Sequence, residues 1–267
     1  MILIINKRKL IIIFLVIIII CFILKFAFTE RYVETNTIPK GYIAIVIDDL
    51  GNNDEGTEEL IKLDIPITAA VMPFLEYSEV DAKKAYDAGM EIILHLPMEP
   101  EVGDPNWLGP RAIKAGFSND EVKKVVYDAL EQVKWAKGIN NHMGSKVMKN
   151  EMTMREILNI AKEKDIYFLN SRTDESTICE ELSREIGVEY FIRNIFLDNE
   201  KTEYYISRAM EELSKTALEK GYAIGIGHVG GQGGKITIDT INKMSKKLKE
   251  EGIEFIYVSQ ISNILNK

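Results

Sequence analysis

The residues of this chain best suited to chemistry are its three histidines and one pair of adjacent carboxylates. Asp48 and Asp49 close the apolar run YIAIVI, His95 closes EIIL, His142 follows GINN, and His228 closes YAIGIG. One carboxylate and two imidazoles make a three-ligand set that leaves a fourth position open for water, which is typical of catalytic zinc sites. Successive side chains of a strand point to opposite faces, and the turn after the strand can change the direction of the second carboxylate, that of Asp49. The two carboxylates can therefore have different roles.

A purely structural interpretation of the same residues is open at this point. Asp48 and Asp49 can cap the turn that follows them, as aspartates often do. His95 and His142, taken singly, are more often hydrogen-bonded barrel residues than metal ligands. The elements that carry these side chains decide whether they meet.

Apolar, β-branched runs alternate with amphipathic stretches from Gly41 onward, which predicts a parallel sheet with crossover helices. The predicted strands are YIAIVID, ITAAVM, EIILH, GINNH, IYFLN, EYFIR, YAIGIGH and EFIYV. Seven or eight such units fit a TIM-like (β/α) barrel better than an open doubly wound sheet, and they place the chemistry at the carboxyl ends of the strands. A helix is also predicted over residues 119–137, with Trp135 packed in the core.

The amino terminus predicts a membrane anchor. Residues 10–28 are almost continuously apolar, about the 20 residues that a bilayer core requires. Lys7, Arg8 and Lys9 precede this run and favour a cytoplasmic amino terminus. We expect residues 1–28 to form a single-pass helix in the cell membrane, 29–40 a linker, and 41–267 a barrel domain outside the cytoplasm. The alternative is a cleaved signal peptide and a secreted domain.

Charge and composition exclude several classes of partner. The chain has 33 Lys and Arg against 41 Asp and Glu, and its net charge of -8 repels a phosphate backbone, so no nucleic acid is expected. Two cysteines are too few for a disulfide scaffold or a Cys-rich zinc site. Residues 225–230 match G-x-G-x-x-G, but Ser259 and Gln260 stand where a dinucleotide site needs an acidic residue, so no nucleotide is expected.

Six segments together carry a family resemblance. In this order, IAIVIDDLGNN, ILHLPMEP, GINNHMGSK, FLNSRTDES, FLDNE and IGIGHVG resemble the divergent polysaccharide deacetylase family, one of the NodB-type deacetylases. The resemblance implies a distorted (β/α) barrel that uses a divalent metal, usually zinc, to remove acetyl groups from N-acetylated sugars. It also implies roles for single residues: Asp48 as general base, Asp49, His95 and His142 as metal ligands, and His228 as general acid.

Three departures from the family pattern bear on proton transfer. The family usually carries Asp where this chain has Asn170 and Asn194, and Pro where it has Val229. An amide cannot replace a carboxylate that orients an imidazole or stabilises its cation. The resemblance implies a metal-dependent deacetylase of an acetylated polysaccharide or peptidoglycan-type glycan, and the departures leave a weak or inactive glycan-binding barrel as the alternative. The predicted substrate-binding residues are Trp107 and Arg172. The Trp107 ring can pack against a sugar or anchor the loop at the barrel rim, and Arg172 can bind an acyl oxygen or a carboxylate.

Overall fold

The computed structural model describes residues 14–22 and 39–265. The chain divides into two compact units, residues 1–38 and residues 39–267. In the first unit residues 14–22 are helical, and the rest of the predicted anchor and most of the predicted linker lie outside the described residues. None of the described helices combines the length and the apolar character needed to cross a bilayer, so the predicted anchor is not confirmed.

The second unit is built on one parallel sheet, which has nine strands in the described residues. They are β1 (Gly41–Leu50), β2 (Thr68–Val71), β3 (Glu91–Met98), β4 (Ala136–Met143), β5 (Tyr167–Asn170), β6 (Tyr190–Ile192), β7 (Ile195–Phe196), β8 (Tyr222–His228) and β9 (Ile253–Ile256). Their order is β6-β5-β4-β3-β2-β1-β8-β7, and β9 also pairs with β1. Only Arg193 and Asn194 join β6 to β7, so the two ends of this order meet and the sheet curls into a barrel-like shape.

Helices connect or follow these strands. They are α1 (Thr57–Leu60), α2 (Ser78–Asp87), α3 (Asn119–Gln132), α4 (Glu151–Glu163), α5 (Ile178–Ile186), α6 (Glu203–Lys220), α7 (Lys235–Glu250) and α8 (Ile261–Leu265). The prediction that Trp135 is helical is wrong, because Val133 leaves the helical conformation (φ -98°, ψ 65°) and ends α3 early. Trp135 lies in the turn before β4 and stacks on Tyr86, with 4.9 Å between ring centroids.

Side-chain alternation along β1 separates two groups of buried apolar residues. Ile43, Ile45 and Ile47 pack with residues of the helices, whereas Ala44 and Val46 pack with side chains from other strands and the carboxyl terminus. The second group therefore fills the inside of the curled sheet.

The same alternation aims polar side chains into the carboxyl end of that interior. Asp48 continues the inward series of Ala44 and Val46, and His228 pairs with it in register at the end of β8. His95 follows the inward Ile93 in β3. Asp48, His95 and His228 are 2%, 2% and 6% exposed, so three potential catalytic groups lie almost out of solvent.

Candidate functional site

Three ligand atoms converge at the carboxyl edge of β1, β3 and β4. Asp49 Oδ1 lies 3.2 Å from His95 Nε2 and 3.2 Å from His142 Nδ1, and the two nitrogens are 3.0 Å apart. Around a tetrahedral zinc ion with bonds of about 2.0–2.1 Å, ligand atoms are separated by about 3.3 Å. The triangle therefore has the size that one small divalent cation requires, and it joins the three predicted metal ligands.

The bonding around Asp49 supports this fit. Its Oδ1 is buried and accepts no well-aligned hydrogen bond from the described residues. Asp49 also has a left-handed backbone (φ 69°), which turns its side chain to the same site as the preceding Asp48. A buried oxygen without a partner is costly, and a cation at the centre of the triangle would satisfy it.

Hydrogen bonds on the outer side of each imidazole fix its tautomer. His95 Nδ1 lies 2.8 Å from Asn140 Oδ1, and His142 Nε2 lies 2.9 Å from the backbone oxygen of Trp107. Both oxygens only accept, so each ring donates its N–H outward and turns a lone pair towards Asp49. Neutral imidazoles with inward lone pairs are the form that binds a metal.

Asp48 stands beside the triangle and is held by an amide. Its Oδ1 accepts a 2.9 Å hydrogen bond from Asn140 Nδ2, and its Oδ2 lies 3.7 Å from His95 Nε2. Asn140 thus links the predicted general base to a predicted ligand, a connection that the sequence analysis missed. Burial raises the pKa of Asp48, although His95, His228 and Asn140 oppose the shift.

His228 is anchored by a carboxylate that the sequence analysis did not assign. Its Nδ1 donates to Asp198 Oδ1 over 2.8 Å, while Asp198 Oδ2 accepts from the His228 backbone N–H (2.8 Å) and from Thr237 Oγ1 (3.0 Å). Burial would lower the pKa of His228, but Asp198, together with Asp49 and Asp48, outweighs burial and raises that pKa to about 9. This pKa favours the protonated imidazole at neutral pH, and among the described residues no hydrogen bond is formed by His228 Nε2. The segment FLDNE, which contains Asp198, is among those that carry the resemblance.

The idea that Asn170 or Asn194 replaces the partner of His228 is wrong. Asn170 Oδ1 accepts the backbone N–H of Arg172 over 2.7 Å, and Asn194 Oδ1 accepts that of Ile224 over 2.7 Å. Both amides stabilise backbone, while Asp198, four residues after Asn194, holds the imidazole. The carboxylate that proton transfer needs is present.

The glycines after β8 have a packing reason. A Cβ at Gly233 would overlap with His228 O and with Asp198 Oδ2, so only glycine lets this loop approach the His228–Asp198 pair. Gly225 and Gly227 of the G-x-G-x-x-G pattern lie within β8, and Gly230 lies in the loop between β8 and α7. Close backbone approach is a common use of glycine.

A cavity of about 660 Å³ opens beside the triangle. It is lined by Asp49, Asn52, Asp54, Met72, Leu75, Asn106, Trp107, Gly109, His142, Met143, Val229, Gly230, Gly231 and Gln232. Trp107 is 64% exposed at its rim, so its ring is accessible to a sugar while its carbonyl holds His142.

Arg172, predicted to bind substrate, does not line this cavity. Its guanidinium is half exposed and lies 3.8 Å from Glu175 Oε2. Its backbone is left-handed (φ 55°), so the chain turns at the end of β5 and the direction of the side chain cannot be inferred from alternation. The half-buried Arg193 lies over the ring of Phe196 and donates to the Ser171 carbonyl over 2.7 Å.

Comparison with known proteins adds to this geometry. The family model of divergent polysaccharide deacetylases matches residues 45–262. The uncharacterized protein YibQ of Escherichia coli (strain K12) is 31% identical over 202 residues, which are 76% of this chain and 63% of that protein. The chain spans slightly less than two thirds of the length of the curated relatives it matches.

Solved structures share the fold. An uncharacterized protein of Agrobacterium tumefaciens C58 has a TM-score of 0.73 and 24% identity, covering 85% of this chain and 91% of its own. Bacillus subtilis PdaA, a family 4 carbohydrate esterase, has a TM-score of 0.51 and 14% identity, with coverages of 86% and 82%.

A curled parallel sheet with one carboxylate and two imidazoles at its carboxyl edge defines a barrel of the polysaccharide deacetylase class. The match over residues 45–262 shows that this chain belongs to the divergent polysaccharide deacetylase family. Membership confirms the family that the motifs indicate, and it agrees with the expectation of an enzyme.

Proposed function

We propose that this chain is a metal-dependent hydrolase that removes acetyl groups from an N-acetylated polysaccharide or cell-wall glycan. The observation that carries the proposal is the triangle of Asp49, His95 and His142, whose unpartnered carboxylate oxygen and inward imidazole lone pairs lie beside Asp48. Family membership supports the same reaction class.

Asp49, His95 and His142 would hold one divalent ion, and their nitrogen and oxygen donors suit zinc. When bound, such an ion polarises an acyl oxygen and acidifies a water molecule. Two neutral imidazoles and one carboxylate leave a net positive charge on the loaded site, which favours a developing oxyanion.

Asp48 and His228 divide the proton transfers between them. Asp48, oriented by Asn140, takes the proton of the attacking water. His228, kept protonated by Asp198, gives its Nε2 proton to the departing amine nitrogen. Trp107 offers a ring face to the sugar at the cavity rim.

The glycan-binding alternative depends on a missing carboxylate. Since Asp198 supplies that carboxylate, no feature of the described site now favours binding without turnover.

The location of the domain outside the cytoplasm is a further proposal, supported by Lys7, Arg8 and Lys9 ahead of the apolar run. External protease should remove most of the domain from intact cells, and a cytoplasmic domain would resist it.

Release of amine and acetate from acetylated chito-oligosaccharides and peptidoglycan fragments tests the proposed reaction. We expect equal amounts of both products from the zinc-loaded full chain, loss with a chelator and with Asp48→Asn, and unchanged activity in Asp87→Asn. Asp87 is an exposed carboxylate paired with Lys83, so this control removes the same charge away from the site. A zinc-loaded protein that releases no amine from any of these glycans would contradict the proposal.

A further inference from the structure

The cavity beside the metal triangle contains no cationic side chain. Its lining includes no Lys or Arg, and apart from the triangle residues its one charged group is Asp54. The remaining polar groups on its side chains are the neutral amides of Asn52, Asn106 and Gln232 and the indole N–H of Trp107. This lining can donate to and accept from hydroxyl and acetamido groups, but outside the metal triangle it offers no cation to pair with a substrate carboxylate.

Asp54 is exposed, and among the described residues its carboxylate accepts no hydrogen bond and forms no ion pair. It lies on the loop between β1 and α1, where its backbone oxygen accepts from Thr57 N over 3.1 Å. A Cβ placed on Gly230 would lie 3.2 Å from both Asp54 Cβ and Asp54 Oδ2, so this side chain rests against the loop after β8. The charge is therefore held at the cavity wall without a partner.

Three cationic side chains of the described residues that lie after β5, between β6 and β7, and after β7 already have partners. Lys201 Nζ lies 3.5 Å from Glu55 Oε2 and 3.4 Å from Gly230 O. Arg193 donates to backbone carbonyls, and Arg172 lies 3.8 Å from Glu175 Oε2. None of them forms an ion pair with Asp54 or lines the cavity.

We propose that this cavity selects neutral or amine-bearing N-acetylhexosamine chains over carboxylated ones, and that Asp54 is the residue that discriminates between them. The inference rests on the proposed deacetylase function and names its substrate class. An unpaired carboxylate in a cleft repels an anionic sugar and attracts an ammonium group. The chain's net charge of -8 acts in the same direction.

Three oligosaccharides of equal length test the inference: neutral N-acetylglucosamine, its partly deacetylated cationic form, and a form oxidised to carboxylate at C6. For the zinc-loaded full chain we expect kcat/KM to be on the order of tenfold lower for the carboxylated chain than for the neutral one at low salt. This gap should narrow as salt is added, because the Debye length shrinks. Asp54→Asn should reduce the gap, and Asp54→Lys should reverse it.

Glu219→Gln is the matched control, since it removes one carboxylate from the exposed end of α6, where Glu219 lies 3.9 Å from Lys215. It should leave the ratio unchanged. Equal kcat/KM for neutral and carboxylated chains, or a ratio unaffected in Asp54→Asn, would overturn the inference while leaving the deacetylase function intact. If none of the three is hydrolysed, the proposed deacetylase function fails. The selection by charge is then tested by calorimetry: the ratio of Kd values for the carboxylated and neutral chains should change in the Asp54 variants as predicted for kcat/KM, and an unchanged ratio would overturn the inference.

Discussion

The two halves of the site differ in how completely their polar atoms are satisfied. On the β8 side, both carboxylate oxygens of Asp198 accept hydrogen bonds, which come from the ring and backbone of His228 and from the Thr237 hydroxyl. On the β1, β3 and β4 side, Asp49 Oδ1 is buried without a well-aligned hydrogen-bond donor among the described residues, beside two imidazole nitrogens that face each other. The polar atoms of the β8 side are thus satisfied within the chain, whereas we propose that a cation satisfies those of the other side.

Removing either acid–base group should have the largest effect on turnover. Asp48→Asn and His228→Ala should each lower kcat by roughly 10²- to 10⁴-fold, because each removes a group that moves a proton in the reaction. Steady-state kinetics on zinc-loaded protein measures this, with bound zinc quantified in the same samples. A His228→Ala enzyme with wild-type kcat would show that another group protonates the amine.

The His228–Asp198 pair should set the alkaline limb of the pH profile. In the proposed mechanism protonated His228 is the acid, so kcat/KM should fall at alkaline pH as His228, whose pKa is raised to about 9, loses its proton. In Asp198→Asn the group that raises this pKa most is lost, and the alkaline fall in kcat/KM should move to lower pH.

Asn194→Asp is the control for this shift, because Asn194 binds the Ile224 backbone and not His228. It should change neither the pH at which kcat/KM falls nor the maximal kcat/KM. If kcat/KM falls at the same alkaline pH in Asp198→Asn as in wild type, the group that titrates there is not His228.

Thr237 should contribute a smaller, positioning effect. Thr237→Val removes one of the two donors to Asp198 Oδ2 and leaves the bond from the His228 backbone, so we expect kcat to fall roughly 3- to 10-fold with little change in KM. Thr237→Ser retains the hydroxyl and should restore most of the rate. If the Ser and Val variants lose the same activity, packing rather than the hydrogen bond explains Thr237.

Much of the site could be predicted because strand alternation is regular. Asp48, His95 and His228 end apolar runs, and their inward direction follows from the residues two positions earlier. Asp198 was not assigned because it follows β7, a strand of two residues that gives no periodic signal. Its pairing with His228 depends on β7 lying beside β8, which is a long-range contact.

The substrate side was harder to predict. Arg172 follows the predicted strand IYFLN, and because its backbone is left-handed (φ 55°), strand alternation does not give the direction of its side chain. The wall position of Asp54 depends on its contact with Gly230 from a distant loop. Loops at a barrel rim are set by tertiary packing, so periodicity and propensity leave them open.

The central claim is that Asp49, His95 and His142 hold one divalent metal, and zinc titration by calorimetry tests it most directly. The metal-free full chain should bind one zinc ion, and alanine at any of the three positions should lower the affinity by well over about tenfold, more than the loss of an outer hydrogen-bond partner usually does. His228→Ala should bind zinc as wild type does, since His228 lies outside the triangle. A wild-type chain that binds neither zinc, cobalt nor nickel, or a His142→Ala variant that binds zinc as tightly as wild type, would contradict the account.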